Sequence, residues 1–192
     1  LDLDHTLWGG IIGEVGVDGI TLSDEKVGAV YRDCQILLKQ MQKRGVLLAI
    51  CSKNNPADVE GVWQHPHMIL SKEDFVASRI NWEDKSANIR QMAKELNLGT
   101  DSFVFVDDMP NEREGVRSQL PEVVVPEFPN MIEQLPEFYQ EIYENYFSKA
   151  NVTEEDKVKT QQYMENSKRE KAKEGVDFQT FLASLELRPV RV

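Results

Sequence analysis

Apolar residues fall along the chain in two alternating rhythms, short continuous runs and longer stretches at three-to-four spacing, and glycine, proline or polar clusters mark each change. The chain opens on an extended run, Leu1 to Leu7. Five glycines follow (Gly9, Gly10, Gly13, Gly16, Gly19) among Ile11, Ile12, Val15 and Val17, the pattern of a glycine-punctuated hairpin or flap. From Ser23 to Arg44 the residues Val27, Val30, Tyr31, Cys34, Leu37, Leu38 and Met41 recur at helical spacing. Ser23 is placed to cap this helix, Asp24 and Glu25 to complement its first turn, Lys43 and Arg44 its last, and Gly45 to stop it. Val46 to Cys51 is an unbroken apolar run, as in a strand buried on both faces, and Ser52-Lys53-Asn54-Asn55 ends it before a helix beginning near Pro56. Weaker strand signals lie at Met68 to Leu70 and Phe75 to Ser78, and a helix from Lys85 to Leu98 stops at Gly99. Phe103 to Val106 is a further buried strand running into Asp107-Asp108, and a helix from Pro110 to Leu120 precedes another strand at Val123 to Val125.

This alternation predicts an α/β fold, a parallel sheet flanked by helices with ligands bound beyond the carboxyl ends of the strands. The character changes after Pro129. Met131 to Phe147 is aromatic and acidic, Thr153 is placed to cap a charged helix to about Lys173 ahead of Gly175, Asp177 to Leu185 is a short amphipathic helix, and Leu187 to Val192 is strand-like. Residues 1–129 are therefore expected to form the catalytic core and 130–192 a helical extension or connector.

Composition narrows the function classes. With 41% hydrophobic and 29% charged residues the 192-residue chain is of the globular type, and no apolar run approaches the roughly 18 residues of a spanning helix. Neither a membrane partner nor a signal peptide is expected, and Cys34 and Cys51 are too few for a disulfide framework, so a cytoplasmic setting is expected. The net charge of −11 is the opposite of the field that nucleic acid demands. An acidic protein that handles phosphate must neutralise it locally, with a metal ion or a few placed lysines. His65-Pro66-His67 has no cysteine or carboxylate at matching spacing and reads as a loop.

The strand ends carry the chemistry. Asp2 and Asp4 with Thr6, Ser52 with Lys53, and Asp107 with Asp108 are expected along one edge of the sheet, and Lys85 opens a helix between the last two groups. Strand geometry would send Asp2 and Asp4 to the same face. Carboxylates held together need a cation, and with Asp107 they make an all-oxygen set suited to Mg²⁺. One carboxylate can then attack phosphorus while the other protonates the leaving oxygen and later activates water. Ser52 can bond the phosphoryl group and Lys85 offset its charge. Asp108 is equally readable as a further metal group or as the acid at the start of the next helix. Leu3, Thr6, Lys53 and Asn54, which flank these groups, are candidate substrate-binding positions.

Asp2-Leu3-Asp4-His5-Thr6, Ser52, Lys85 and Asp107-Asp108 resemble the four motifs of the haloacid dehalogenase (HAD) superfamily of phosphotransferases. More narrowly, LDLDHTLWGGIIGE, LLAICSKNN, DFVASRINWEDKSANI and FVFVDDMPNEREGVR are similar to its FkbH-like branch, as are TEEDKVKTQQY and FLASLELRP in the tail. The resemblance implies a Rossmann-like HAD core that takes a phosphorylated three-carbon acid, 1,3-bisphosphoglycerate, removes phosphate and delivers a glyceryl unit to an acyl carrier protein. Asp2 would be nucleophile and Mg²⁺ ligand, Asp4 general acid/base with its backbone carbonyl on the metal, Ser52 and Lys85 phosphate contacts, and Asp107 a metal ligand. His5 stands where Asn is commoner. The gaps from Asp4 to Ser52 and from Ser52 to Lys85 are filled by the flap and helices already assigned, so no large cap domain is expected, and an open site suits a carrier-bound substrate. The acyltransferase-like domain that often follows in the branch would be a missing downstream partner. The alternatives are a plain capless Mg²⁺-dependent phosphatase and a catalytically idle binding module. Cys51, next to Ser52, is a candidate acyl acceptor, although strand alternation would turn it away from Ser52 and into the core.

Overall fold

Two parallel strands form the regular part of the sheet, β1 (Leu48–Ser52) and β2 (Phe75–Ile80), in register from Ala49↔Ala77 to Ser52↔Ile80 with an irregularity between Leu48 and Ala49. The computed structural model describes residues 1–148 with Gln162, Tyr163 and Glu165. Apart from those three positions, the elements expected at Thr153–Lys173, Asp177–Leu185 and Leu187–Val192 lie outside the described residues.

Backbone hydrogen bonds carry the sheet beyond β1. The Leu1 amine donates to the Ala49 carbonyl and Cys51 N–H to the Leu1 carbonyl, both at 2.9 Å, while Asp2 N–H donates to the Val106 carbonyl at 2.9 Å. Phe105 N–H then donates to Val124 (2.8 Å) and Val124 N–H to Phe103 (3.1 Å), a parallel bridge. Leu1–Asp2 therefore lies between β1 and residues 103–106, with residues 123–125 outside them. These outer segments are held by single bonds and bridges, shorter than the runs in the sequence predict.

Helices cover both faces. On one, α2 (Lys26–Lys43) packs with α6 (Leu135–Ile142), burying Leu38, Tyr139 and Ile142 with Leu3, Leu7 and Trp8. On the other, α4 (Lys85–Leu96) and α5 (Pro110–Gln119) bury Ile89, Met92 and Val116 against Phe105 and Val123. The fold is a three-layer α/β/α core, and α6, beyond the expected boundary at Pro129, packs into it. Among the described residues no helix is long and apolar enough to cross a membrane.

Several local expectations change. The flap is no hairpin: its base is an antiparallel pair, Gly9 with Thr21, and above it stand a short helix, α1 (Ile12–Val15), and a 3-10 turn at Val17–Gly19. Gly9 tolerates no side chain, since a Cβ there would lie 2.9 Å from the Tyr31 ring, and Gly10 turns the chain at φ +95°. Ser23 does not cap α2. Its hydroxyl bonds Glu25 N–H and C=O instead, a local turn that delays the helix to Lys26. Pro56 starts only a short helix, α3 (Pro56–Glu60), which runs into a 3-10 turn. Met68–Leu70 is not a strand, because the buried Gln35 carboxamide accepts from Ile69 and Leu70 N–H (2.9 and 3.2 Å) and donates to Leu7 C=O (2.8 Å). Asn97, in the left-handed region at φ 52°, ends α4 before Gly99 is reached.

Asp74 ties α2 to the start of β2. Its carboxylate pairs with Lys39 and accepts from Ser71 N–H at 2.8 Å, while Gln42 donates to its carbonyl. Burial pushes this carboxyl up, but the Lys39 and Ser71 contacts outweigh it and hold it below the usual range. The stabilisation is thus complete above the unfolded-state value and is lost as pH falls through the folded one. Asp74→Asn is expected to lower unfolding free energy by about 1.5–3 kcal/mol at pH 7, with the deficit shrinking below pH ~4; urea melts across pH check both.

Candidate active site

Lys85 stands at the first position of α4, an unfavourable place for a cation because the helix dipole is positive there. Asp84 makes it possible by capping the helix, accepting from Ser86 and Ala87 N–H at 2.9 and 3.2 Å and so fixing where the helix begins. The Lys85 side chain is 3% exposed and lies between two carboxylates, bonded to Asp107 and 3.1 Å from Asp2 Oδ1. The Phe105 ring lies beneath, its centroid 5.8 Å from Nζ. Burial opposes the ammonium charge, but Asp2 and Asp107 outweigh burial and hold Lys85 above the usual lysine range.

The carboxylates come from two neighbouring strand ends. Asp2 follows the Leu1 segment; Asp107 and Asp108 follow Val106, where Met109 N–H donates to Asp107 Oδ1 at 2.9 Å. Arg113 of α5 donates to the carbonyls of Asp107 (3.0 Å) and Asp108 (2.7 Å), holding the turn. Oxygens of Asp2, Asp107 and Asp108 lie within 4.8 Å of one another. Burial, with Asp2 close by, pushes the Asp107 carboxyl up; burial, Asp2 and Asp107 together push Asp108 up to about 6. Asp2 Oδ1 is buried, and its contact with Lys85 lacks hydrogen-bond geometry. The trio is therefore crowded with negative charge and, among the described residues, retains a buried oxygen without a hydrogen-bond donor, which fits a hard divalent cation.

Asp4 stands apart from this trio. The chain turns immediately after Asp2, with Thr6 and Leu7 N–H both donating to the Leu3 carbonyl and His5 in the left-handed region at φ 53°, so the expected strand alternation does not extend to Asp4. Its side chain lies outside the group of carboxylates that could share an ion, although the sequence places it with Asp2 and Asp107. Asp4 Oδ1 accepts from Trp8 Nε1 (2.9 Å) and Ile12 N–H (3.1 Å); Oδ2 accepts from Asn54 Nδ2 at 3.0 Å. Asn54 also lies 3.3 Å from Ser52 Oγ, linking Asp4 to the end of β1.

The remaining candidates divide. Thr6 Oγ1 is buried with no hydrogen-bond partner among the described residues, and Ser52 and Asn54 are buried at the same edge. Lys53 is drawn off to Glu112 at 2.7 Å. The Leu3 side chain lies in the core, so it offers a ligand no side-chain contact. Cys51 packs in the second core cluster at 1% exposure, its thiol directed at the Lys85 carbonyl (3.7 Å) and pushed up to about 11 by burial. This placement gives the acyl-acceptor expectation no support. Trp8 and Arg113 were not expected in the site; their signal is spacing, Trp8 four after Asp4 and Arg113 one helical turn after Met109. An apolar cavity of 430 Å³ lies between Leu47–Ala49 and Ser102–Phe105, with Leu1 and Cys51 in its wall and none of Asp2, Ser52, Lys85 or Asp107 lining it.

No family model matches the chain, and no curated protein matches it. Among solved structures it is similar to the N-terminal part of the protein BF1531 from Bacteroides fragilis, described as containing a phosphatase domain complexed with Mg, with a TM-score of 0.73 and 38% identity. The likeness covers 78% of this chain and spans 40% of that one. It bears out the Rossmann-like α/β core.

With its thiol near 11, Cys51 carries roughly one part in a thousand of thiolate at pH 8. Iodoacetamide is therefore expected to leave it unmodified in the native protein and to label it in denaturant, as read by peptide mass spectrometry.

Proposed function

We propose that the chain is a Mg²⁺-dependent phosphotransferase of the HAD type, with Asp2 as nucleophile. The observation that carries this reading is the cluster of buried Asp2, Lys85 and Asp107 with half-buried Asp108 at the carboxyl edge of the sheet, with Asp4 and Ser52 beside it. The likeness to a Mg-complexed phosphatase domain supports it. Mg²⁺ bound by Asp2, Asp107 and Asp108 would draw charge from the phosphoryl oxygens. Asp2 forms a bond to phosphorus as the leaving oxygen departs with its electron pair and takes a proton from Asp4. In the second half, Asp4 takes a proton from the water that cleaves the aspartyl phosphate. Lys85, kept charged by its two carboxylates, offsets negative charge as phosphorus is attacked. Ser52 and Thr6 are the hydroxyls this reading assigns to the phosphoryl group, and Thr6 Oγ1 has no hydrogen-bond partner among the described residues.

The finer reading rests on the FkbH-like segments: Asp2 takes the 3-phosphate of 1,3-bisphosphoglycerate, a carrier thiolate attacks the C1 carbonyl with the acyl phosphate as leaving group, and the glyceryl unit is thereby held as a thioester on an acyl carrier protein in a cytoplasmic setting. The open architecture favours this over a metabolite phosphatase. Among the described residues, the stretches from Asp4 to Ser52 and from Ser52 to Lys85 hold the flap, α2, α3 and β2, and no separate cap. The carrier's own thiol is the acceptor in this reading, since Cys51 is buried.

Hydrolysis of p-nitrophenyl phosphate should require Mg²⁺, stop with chelator and vanish in Asp2→Asn; retained turnover in Asp2→Asn would sink the nucleophile assignment. Asp4→Asn should lower turnover about 10²- to 10⁴-fold while Mg²⁺ affinity measured by titration changes little. Incubation with 1,3-bisphosphoglycerate and a carrier protein should add a glyceryl mass to the carrier, and a carrier of unchanged mass would leave phosphatase chemistry alone standing.

A further inference from the structure

The two oxygens of Asp4 are unequally served. Oδ1 accepts two hydrogen bonds, from the Trp8 indole N–H at 2.9 Å and from Ile12 N–H at 3.1 Å, which fill both of its in-plane lone pairs. Among the described residues Oδ2 accepts one, from Asn54 at 3.0 Å, and keeps a lone pair free. The Trp8 side chain is 0% exposed, so its N–H cannot turn to water and is committed to this contact. We propose that Trp8 is a positioning residue that reserves Asp4 Oδ2 as the oxygen that exchanges protons with the leaving group and with water.

The inference rests on the general acid reading of Asp4. Without the indole donor each oxygen would hold a single hydrogen bond, so the proton would divide between them and the carboxyl plane would lose one of the two contacts that fix Oδ1. A proton on Oδ1 points at the flap and is spent unproductively. The loss should be felt in proportion to how much the departing oxygen needs a proton. Alkyl phosphates, whose leaving alkoxide is strongly basic, depend on it heavily; p-nitrophenyl phosphate, whose leaving group is stable as an anion, depends on it little.

The test compares kcat/KM, which reports the step in which the leaving group departs, on an alkyl phosphate and on p-nitrophenyl phosphate. In Trp8→Phe the alkyl-to-aryl ratio should fall about tenfold, part of the 10²- to 10⁴-fold that proton transfer supplies. Leu7→Ala, an equally buried change with no polar partner, should lower both rates together and keep the ratio. If Trp8→Phe fails to fold, 3-benzothienylalanine at position 8 keeps the indole shape without the N–H and serves the same comparison. Asp4→Asn separates the two ideas. A collapsed ratio in Asp4→Asn with an unchanged ratio at position 8 overturns the role of Trp8; an unchanged ratio in Asp4→Asn overturns the acid reading itself.

Discussion

The ammonium of Lys85, shared by Asp2 and Asp107, is the contact on which the arrangement of this protein turns. None of the three could be buried alone, because an isolated charge in the interior neutralises or draws water in. Together they impose a geometry on segments remote in sequence. The Leu1 segment must lie between β1 and residues 103–106 so that Asp2 and Asp107 emerge side by side, and α4 must begin where Asp84 caps it so that Lys85 reaches both. Arg113 fixes the turn after Val106 from behind.

Such a cluster is a poor way to gain stability. A well-packed apolar trio of similar volume generally does as well or better, whereas losing one member of the ionic set leaves an uncompensated buried charge. The cluster also leaves Asp108 pushed up to about 6 beside it, so it is not balanced within itself. The stability of the fold rests instead on its two apolar layers, the Leu38, Tyr139 and Ile142 face and the Ile89, Met92 and Val116 face, which meet the sheet from opposite sides. The cation-seeking imbalance at the strand ends is what those layers support.

The features legible in the sequence were those governed by period and by chain order. Helices α2 and α4 follow from apolar spacing, and Lys85 and Asp107 meet because a parallel sheet collects strand ends at one edge. Features governed by side chains bonding backbone were not legible. Gln35 looks like any polar residue in a helix, yet it replaces a strand at Met68–Leu70. Ser23 reads as a helix cap and instead closes a turn on Glu25. Asp4 reads as the partner of Asp2 at period two, but the left-handed His5 takes the chain out of the extended form at once. That conformation is tolerated by Asn, Asp and His better than by most residues, so the identity at position 5 answers first to the backbone and only afterwards to a substrate.

The four-residue helix α1 has no stability of its own in water, since so few bonds cannot repay its nucleation. Its amide at Ile12 is nevertheless one of the two donors on Asp4 Oδ1. The flap and the carboxylate are therefore thermodynamically linked, and linkage runs both ways: whatever presses the flap down tightens Asp4, and whatever draws Asp4 toward a bound ester steadies the flap by the same free energy. A ligand large enough to touch both would find binding and catalytic alignment to be a single cooperative event.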